Sequence, residues 1–345
     1  MRTRITELFG ITHPVVLSGM SWISVPSLVA AVSNAGGLGI LATGVLSPKQ
    51  TREAIREVRA LTDRPFGANV TLYFPGAKEN AQVLLEERVP VVNFSMGKGD
   101  WIVEQAHGYG GKVVATVTTA KHARSAAEYG TDALLVTGHE AAAHGSDVTS
   151  LVLVPTIARD VDVPLIAAGG FGDGRALSAA LALGADAIAM GSRFMCTVES
   201  PVHPACKQLA LDKGVHDTIY SRRFDGQPCR VVRSPGASLA IRRGLDLKRA
   251  LFNSRDIAAM LGAPWLKLAV GVVASGWSNT IQLAHLANAF KAFKIATQQG
   301  DVDRGVLPLG QVTGLIHDTP SVADVVSRIV AEAAEVHART ARAFA

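Results

Sequence analysis

Leu165-Ile166-Ala167-Ala168-Gly169-Gly170-Phe171-Gly172-Asp173-Gly174-Arg175 is the stretch that decides the fold. A short apolar run passes through four glycines into a helix that begins near Arg175. An apolar run without polar alternation describes a strand buried on both faces, as in a parallel sheet. Glycines let the backbone approach a phosphate closely, and unpaired amides at a helix start point toward an anion. The next apolar run ends in Ala189-Met190-Gly191-Ser192-Arg193-Phe194, where Gly191 and the amide and hydroxyl of Ser192 can complete the same cradle. One glycine-rich turn carries little weight, but two after consecutive strands form a pattern.

Working outward, the same unit repeats. Apolar runs occur at His13–Leu17, Leu38–Leu41, Phe66–Val70, Val91–Phe94, Lys112–Val117, Ala133–Val136, Val163–Ala167 and Ala185–Met190. Between them lie helix-like stretches such as Pro48–Val58, with apolar residues spaced for one face. Gly130 and Gly184, in Gly130-Thr131-Asp132-Ala133 and Gly184-Ala185-Asp186-Ala187, read as glycines that end a helix just before a strand. Eight such units predict an α/β TIM (β/α)8 barrel, with an open doubly wound sheet as the other arrangement of the same units. In a barrel, the two glycine loops follow strands seven and eight, the common phosphate position. Asn34-Ala35-Gly36-Gly37-Leu38-Gly39 lies between helix and strand rather than strand and helix, so it fails the context of a dinucleotide fingerprint.

The regularity breaks after Thr197. The expected organisation is a barrel from residues 1–196 and 300–345, ending in C-terminal helices. Residues 197–299 then form a basic insertion of helices and loops, a substrate or lid subdomain over the catalytic face. Hydrophobic residues make up 48% of the 345 and charged residues 18%, which supports a large core and excludes wholesale disorder. No uninterrupted run of about 18 apolar residues suggests a membrane span, and no secretion signal is apparent. Cys196, Cys206 and Cys229 form no CxxC pair, which argues against a disulfide framework or a cysteine-rich metal site and fits a reducing cytoplasm.

Charge is concentrated in one region. Between Lys213 and Arg255 ten basic residues face only Asp217, Asp225 and Asp246, a surplus of seven against a net charge of +5 for the whole chain. No nucleic-acid motif or aromatic platform accompanies this cluster. It reads either as a solvated face or as a seat for a phosphorylated or thioester-bound anionic ligand.

The chain resembles the nitronate monooxygenase (2-nitropropane dioxygenase) family of FMN-containing barrels, which also includes NADH:quinone reductases and FMN-dependent enoyl-acyl-carrier-protein reductases. The resemblance rests on Pro14–Met20, Asn34–Gly39, Thr62–Asn69, Glu140–Gly145, Ala167–Gly174, Gly191–Phe194, and Gln299-Gly300-Asp301 with Gly310-Gln311-Val312. It implies that Gly19, Met20 and Ala142 lie against the flavin and that Asn69 hydrogen-bonds it. It also implies that Ala168, Gly169, Gly170, Gly191 and Ser192 hold the phosphate, with Gln299 near the ring. Asn69 can also be read as a loop or strand-end cap. Glu140-Ala141-Ala142-Ala143-His144 is similar to the family's EAGGH motif and makes His144 the catalytic candidate, although Ala142 and Ala143 replace two glycines. Imidazole suits proton transfer near neutral pH. His139 matches no functional position of the family.

Three functions are compatible with these residues. One is oxidation of an alkyl nitronate with O2. A second is NADH- or NADPH-dependent reduction of a quinone or enoyl thioester, which would give the basic segment a purpose. The third is an FMN-binding barrel without catalysis. The expected protein is cytoplasmic, able to form a homodimer, and without nucleic-acid or membrane partners.

Overall fold

The computed structural model describes residues 1–345 except Ala143, Ala263, Ser275 and Ala345, and excepting also the side chains of Met260 and Leu261. Eight parallel strands close into a barrel in sequence order: β1 (Val15–Leu17), β2 (Leu38–Ala42), β3 (Phe66–Thr71), β4 (Val91–Ser95), β5 (Lys112–Val117), β6 (Ala133–Thr137), β7 (Leu165–Ala168) and β8 (Ala187–Met190). The pairing of β8 with β1 closes it, with Val16 opposite Ala189. This is a TIM barrel, as the repeating unit predicts. Gly130 and Gly184 take φ of 84° and 96°, the left-handed turn that leads a helix into β6 and toward β8.

Strand alternation divides the core in two. Val15 and Leu17 face outward and pack with Leu28, Val29 and the other apolar faces of the surrounding helices. Val16, Ile40, Val91, Val114, Leu135, Ile166 and Ala187 fill the barrel interior, which Ile5 and Phe9 of the helix Arg4–Phe9 plug at the N-terminal end. The helix Pro48–Leu61 shows how the outer ring forms. Ser47 and Gln50 make a reciprocal capping box, Pro48 occupies the first turn, and Thr51, Ala54, Ile55 and Val58 form the buried stripe.

After β8 the chain leaves the repeat. Residues 197–299 contain helices and, contrary to a reading as helices and loops alone, a two-stranded antiparallel sheet: β9 (Thr218–Ser221) and β10 (Cys229–Val232). The alternating signal of so short a hairpin is lost among its arginines. The long helix Trp277–Gln299 then crosses the C-terminal face of the barrel, and the last helix, Val322–Ala343, returns to the outer ring beside the helix Gly174–Ala182. Among the described residues no helix is long and apolar enough to cross a membrane.

The last contact is close. A Cβ at Gly174 would lie 2.5 Å from both the Ala333 nitrogen and the Ile329 oxygen, and the Gly174 amide donates to Glu332 Oε2 at 2.8 Å. Gly174→Ala is therefore expected to destabilise the fold by about 2 kcal/mol, measured as a lower chemical-denaturation midpoint. An unchanged midpoint would mean that the terminal helix can slide away freely.

Candidate active site

The C-terminal ends of the strands open into a cavity of about 730 Å³. Gly19, Met20, Asn69, Ala142, His144, Ala168, Gly169, Gly170, Gly191 and Ser192 all line it. Gln299 does not. It is exposed at the end of its helix, two residues beyond Thr297 and therefore off the face that turns Gln282, Leu286, Phe290, Phe293 and Thr297 inward. Ala143, the second alanine of the departure from the family motif, lies outside the described residues. A depression of similar volume, about 740 Å³, lies at the opposite end of the barrel around Arg59, Arg88 and Lys112, away from every candidate residue.

One wall of the cavity is a cradle for an anion. Gly169 and Gly170 adopt consecutive φ values of 98° and 84°, which turn the chain sharply at the end of β7. Among the described residues, the N–H groups of Gly169, Gly170 and Gly191 have no protein acceptor, so they remain free for a ligand. Ser192 opens the short helix after β8, and its hydroxyl accepts from the Gly310 amide at 3.0 Å. The adjoining Gln311 amide donates to the Glu140 carbonyl at 2.9 Å, so the tail ties the loop after β8 to the loop after β6.

The floor is polar by strand parity. Gly67 and Asn69 on β3, Asn93 on β4, and Thr116 on β5 occupy the inward positions, alternating with outward Ala68, Phe94 and Ala115. Asn69 Nδ2 donates to Asn93 Oδ1 at 2.7 Å, and Asn93 Nδ2 donates to Thr116 Oγ1 and to the Val114 carbonyl, each at 3.0 Å. This relay holds the Asn69 amide in one orientation. Gly19 makes room for it, since a Cβ there would come 2.6 Å from Asn69 Cβ. Sequence motifs do not single out Asn93 or Thr116. Their signal was a polar residue at an inward position near the end of an apolar strand.

The roof is the loop between β6 and the helix Ser150–Asp160. Glu140 accepts from the amide and hydroxyl of Ser150, at 3.0 and 2.9 Å, and thereby anchors the loop to the start of that helix. The β9–β10 hairpin holds it from the other side. Arg230 is buried and donates through Nε and Nη2 to the His139 carbonyl, at 3.1 and 2.9 Å, and through Nη1 to Thr218 Oγ1 at 2.8 Å. The Tyr220 hydroxyl donates to the Gly145 carbonyl at 3.3 Å, with its ring edge-on to His139. His139 is therefore part of the loop's support.

The hairpin also delivers Asp225. Its buried carboxylate accepts from His144 Nε2 at 2.6 Å, although 81 residues separate the two in sequence. With a carboxylate as its partner, Nε2 carries the hydrogen, and Nδ1 is left as the acceptor. Cys229 Sγ lies close enough to complete a three-donor cluster, its donor atom within 4.8 Å of those of His144 and Asp225. Complete burial pushes that thiol well above its ordinary pKa, so it stays protonated and contributes packing rather than a charged ligand.

The chain as a whole has known counterparts. Residues 2–82 and 74–332 match the family model described as Nitronate monooxygenase. The chain belongs to the nitronate monooxygenase family. Within this wider group of oxidoreductases, it is 38% identical to a Rhodococcus jostii protein over 96% of each chain. That protein is named (3aS,4S,5R,7aS)-5-hydroxy-7a-methyl-1-oxo-octahydro-1H-indene-4-carboxyl-CoA dehydrogenase. Among solved structures it is similar to FabK from Thermotoga maritima, with TM-score 0.82 and 35% identity over the whole of both chains. It is also similar to a nitroalkane oxidase from Streptomyces ansochromogenes, with TM-score 0.78 and 28% identity over 98% of this chain and 99% of the other.

Two outcomes follow from this geometry. Asp225→Asn would let the new amide donate to Nε2 and force the hydrogen onto Nδ1, so turnover should fall about 10³-fold while cofactor content is unchanged. Undiminished turnover would mean that His144 acts without the carboxylate. Burial pushes the Cys196 and Cys206 thiols up to about 11, so neither should react with iodoacetamide at pH 8 in the folded protein. Fast alkylation of either would mean that the region opens readily.

Proposed function

We propose that this protein is an FMN-dependent oxidoreductase that acts on a coenzyme A thioester, with His144 as the proton-transfer group at the carbon beside the thioester carbonyl. The observation that carries this reading is the His144–Asp225 pair, an oriented base in the same cavity as a phosphate cradle. The residues fit the cofactor. Gly169, Gly170, Gly191 and Ser192 would hold the phosphate, and Gly19, Met20 and Asn69 would border the ring. The close approach of Gly191 supports this, since a Cβ there would come 3.1 Å from Met20 Sδ. Bound there, FMN would supply two-electron exchange by taking up or returning a hydride.

The chain's own residues account for the rest. His144 Nδ1 takes the acidic proton α to the thioester carbonyl, and the buried Asp225 carboxylate stabilises the imidazolium that results. Run in reverse, the same atom returns the proton to an enoyl thioester, a direction that would need NADH or NADPH as reductant. Phe290 and Phe293 from the long helix, with Trp22 and Phe74 edge-on to Phe290 at 5.2 Å, give the outer cavity an apolar lining suited to an acyl group. Support for a thioester comes from the likeness to the CoA dehydrogenase across nearly the full length.

The similarity to a nitroalkane oxidase supports a second reading, oxidation of an alkyl nitronate with O2, in which His144 would orient the nitro group. Anaerobic mixing separates the two. An acyl-CoA substrate should bleach the bound flavin, or an enoyl-CoA should reoxidise flavin reduced by NADH or NADPH. His144→Ala should slow either reaction by at least about 10²-fold, with the flavin still bound. Silence with every CoA thioester, together with rapid O2 uptake on a nitronate, would overturn the thioester reading.

A further inference from the structure

The basic segment between Lys213 and Arg255 is not one surface. Arg230 is used up inside the hairpin, whereas Arg223, Arg243 and Arg249 meet around a separate cleft of about 260 Å³. They reach it from three places: the turn after β9, the last residue of the helix Pro235–Arg243, and the first turn of the helix Leu247–Leu261. Lys291 and Arg304 also line it, but Lys291 pairs with Asp256 at 2.9 Å and Arg304 lies 3.8 Å from Asp301. The one lining carboxylate, Asp246, accepts from the Arg249 amide as a helix cap. Arg223 donates to the Ile241 carbonyl at 3.0 Å, and no described carboxylate pairs with Arg223, Arg243 or Arg249. Beneath these arginines lies an apolar floor that includes Phe224 and Val306, both buried.

We propose that this cleft seats the phosphorylated adenosine end of the coenzyme A thioester, an inference that rests on the substrate class proposed above. Guanidinium groups without a described carboxylate partner around a concave surface suit phosphate oxygens, which they can grip bidentately, and the apolar floor suits a purine face. The cleft is placed for this role. Ala289 and Phe293, one helical turn apart on the helix Trp277–Gln299, line both the cleft and the catalytic cavity. A ligand anchored in one can therefore reach the other around a single helix. The phosphorylated ribose of NADPH shares this chemistry, so the test must separate the two.

The experiment measures binding of coenzyme A, 3′-dephospho-coenzyme A and NADPH to the flavin-loaded protein by titration calorimetry. The variants are R243A/R249A and the equally discharged control R242A/K248A, whose side chains do not line the cleft. The cleft pair should weaken coenzyme A binding about 100-fold, about tenfold for each arginine, and raise KM for an acyl-CoA without lowering kcat. The control pair should bind as the parent does. Removal of the 3′-phosphate should weaken binding to the parent and matter less to the cleft variant.

Equal weakening in both pairs, or none in the cleft pair, would overturn the proposal. So would loss of NADPH binding with coenzyme A binding retained. Acyl-CoA turnover indifferent to the cleft pair would sink the cleft alone. Arginine-dependent coenzyme A binding without turnover of any thioester would uphold the cleft and sink the catalytic reading.

Discussion

The candidate site depends on the contact between the Arg230 guanidinium and the His139 carbonyl. A cation this deeply buried is costly unless its donors are satisfied, and here Nε, Nη1 and Nη2 all donate. Burial pulls its pKa below the ordinary value for arginine, yet the group stays charged because that value starts so high. The Tyr220 ring, 5.2 Å from the guanidinium carbon, adds a cation–π contact. The hairpin is thereby fastened to the loop after β6, so that Asp225 and His144 arrive together.

The barrel supplies the rest by parity and position. Inward positions near the C-terminal ends of β3, β4 and β5 carry Asn69, Asn93 and Thr116, and their hydrogen bonds replace the water that would otherwise solvate them. The loops after β7 and β8 present free amides on the same face. Arg193 secures the second of these loops from behind. It is buried and donates to the Cys196 carbonyl at 2.8 Å and to Asp318 at 2.9 Å. Cradle, floor and roof therefore come from different parts of the chain, and the cradle and roof are braced by Arg193 and Arg230, which do not line the cavity.

The excess of positive charge after Lys213 also separates into distinct roles once folded. Arg230 is structural. Arg255 lies over the Trp265 ring at 4.8 Å, away from both cavities. Among the described residues of this segment, Arg223, Arg243 and Arg249 are the ones that converge without a carboxylate partner. Local surplus in sequence thus overstates the charge available to any one ligand. Three arginines around a cleft next to the cavity at the strand ends are a more selective feature than ten along a segment.

Sequence by itself determined the barrel, its strand order, and the glycine loops at the ends of β7 and β8. These depend on local signals: unalternated apolar runs, caps, and glycines where φ is positive. It also brought His144 and Asn69 into view, through strand ends and family resemblance. Sequence could not disclose Asp225, Arg230 or the cleft. Their partners lie 81 residues away for Asp225 and 91 for Arg230, and the cleft assembles from segments with no periodic relation. Gln299 shows the same limit within one helix, where its rotation relative to Thr297 excludes it from the cavity. Only tertiary packing decides such pairs, because burial and hydrogen-bond satisfaction are properties of the folded surroundings.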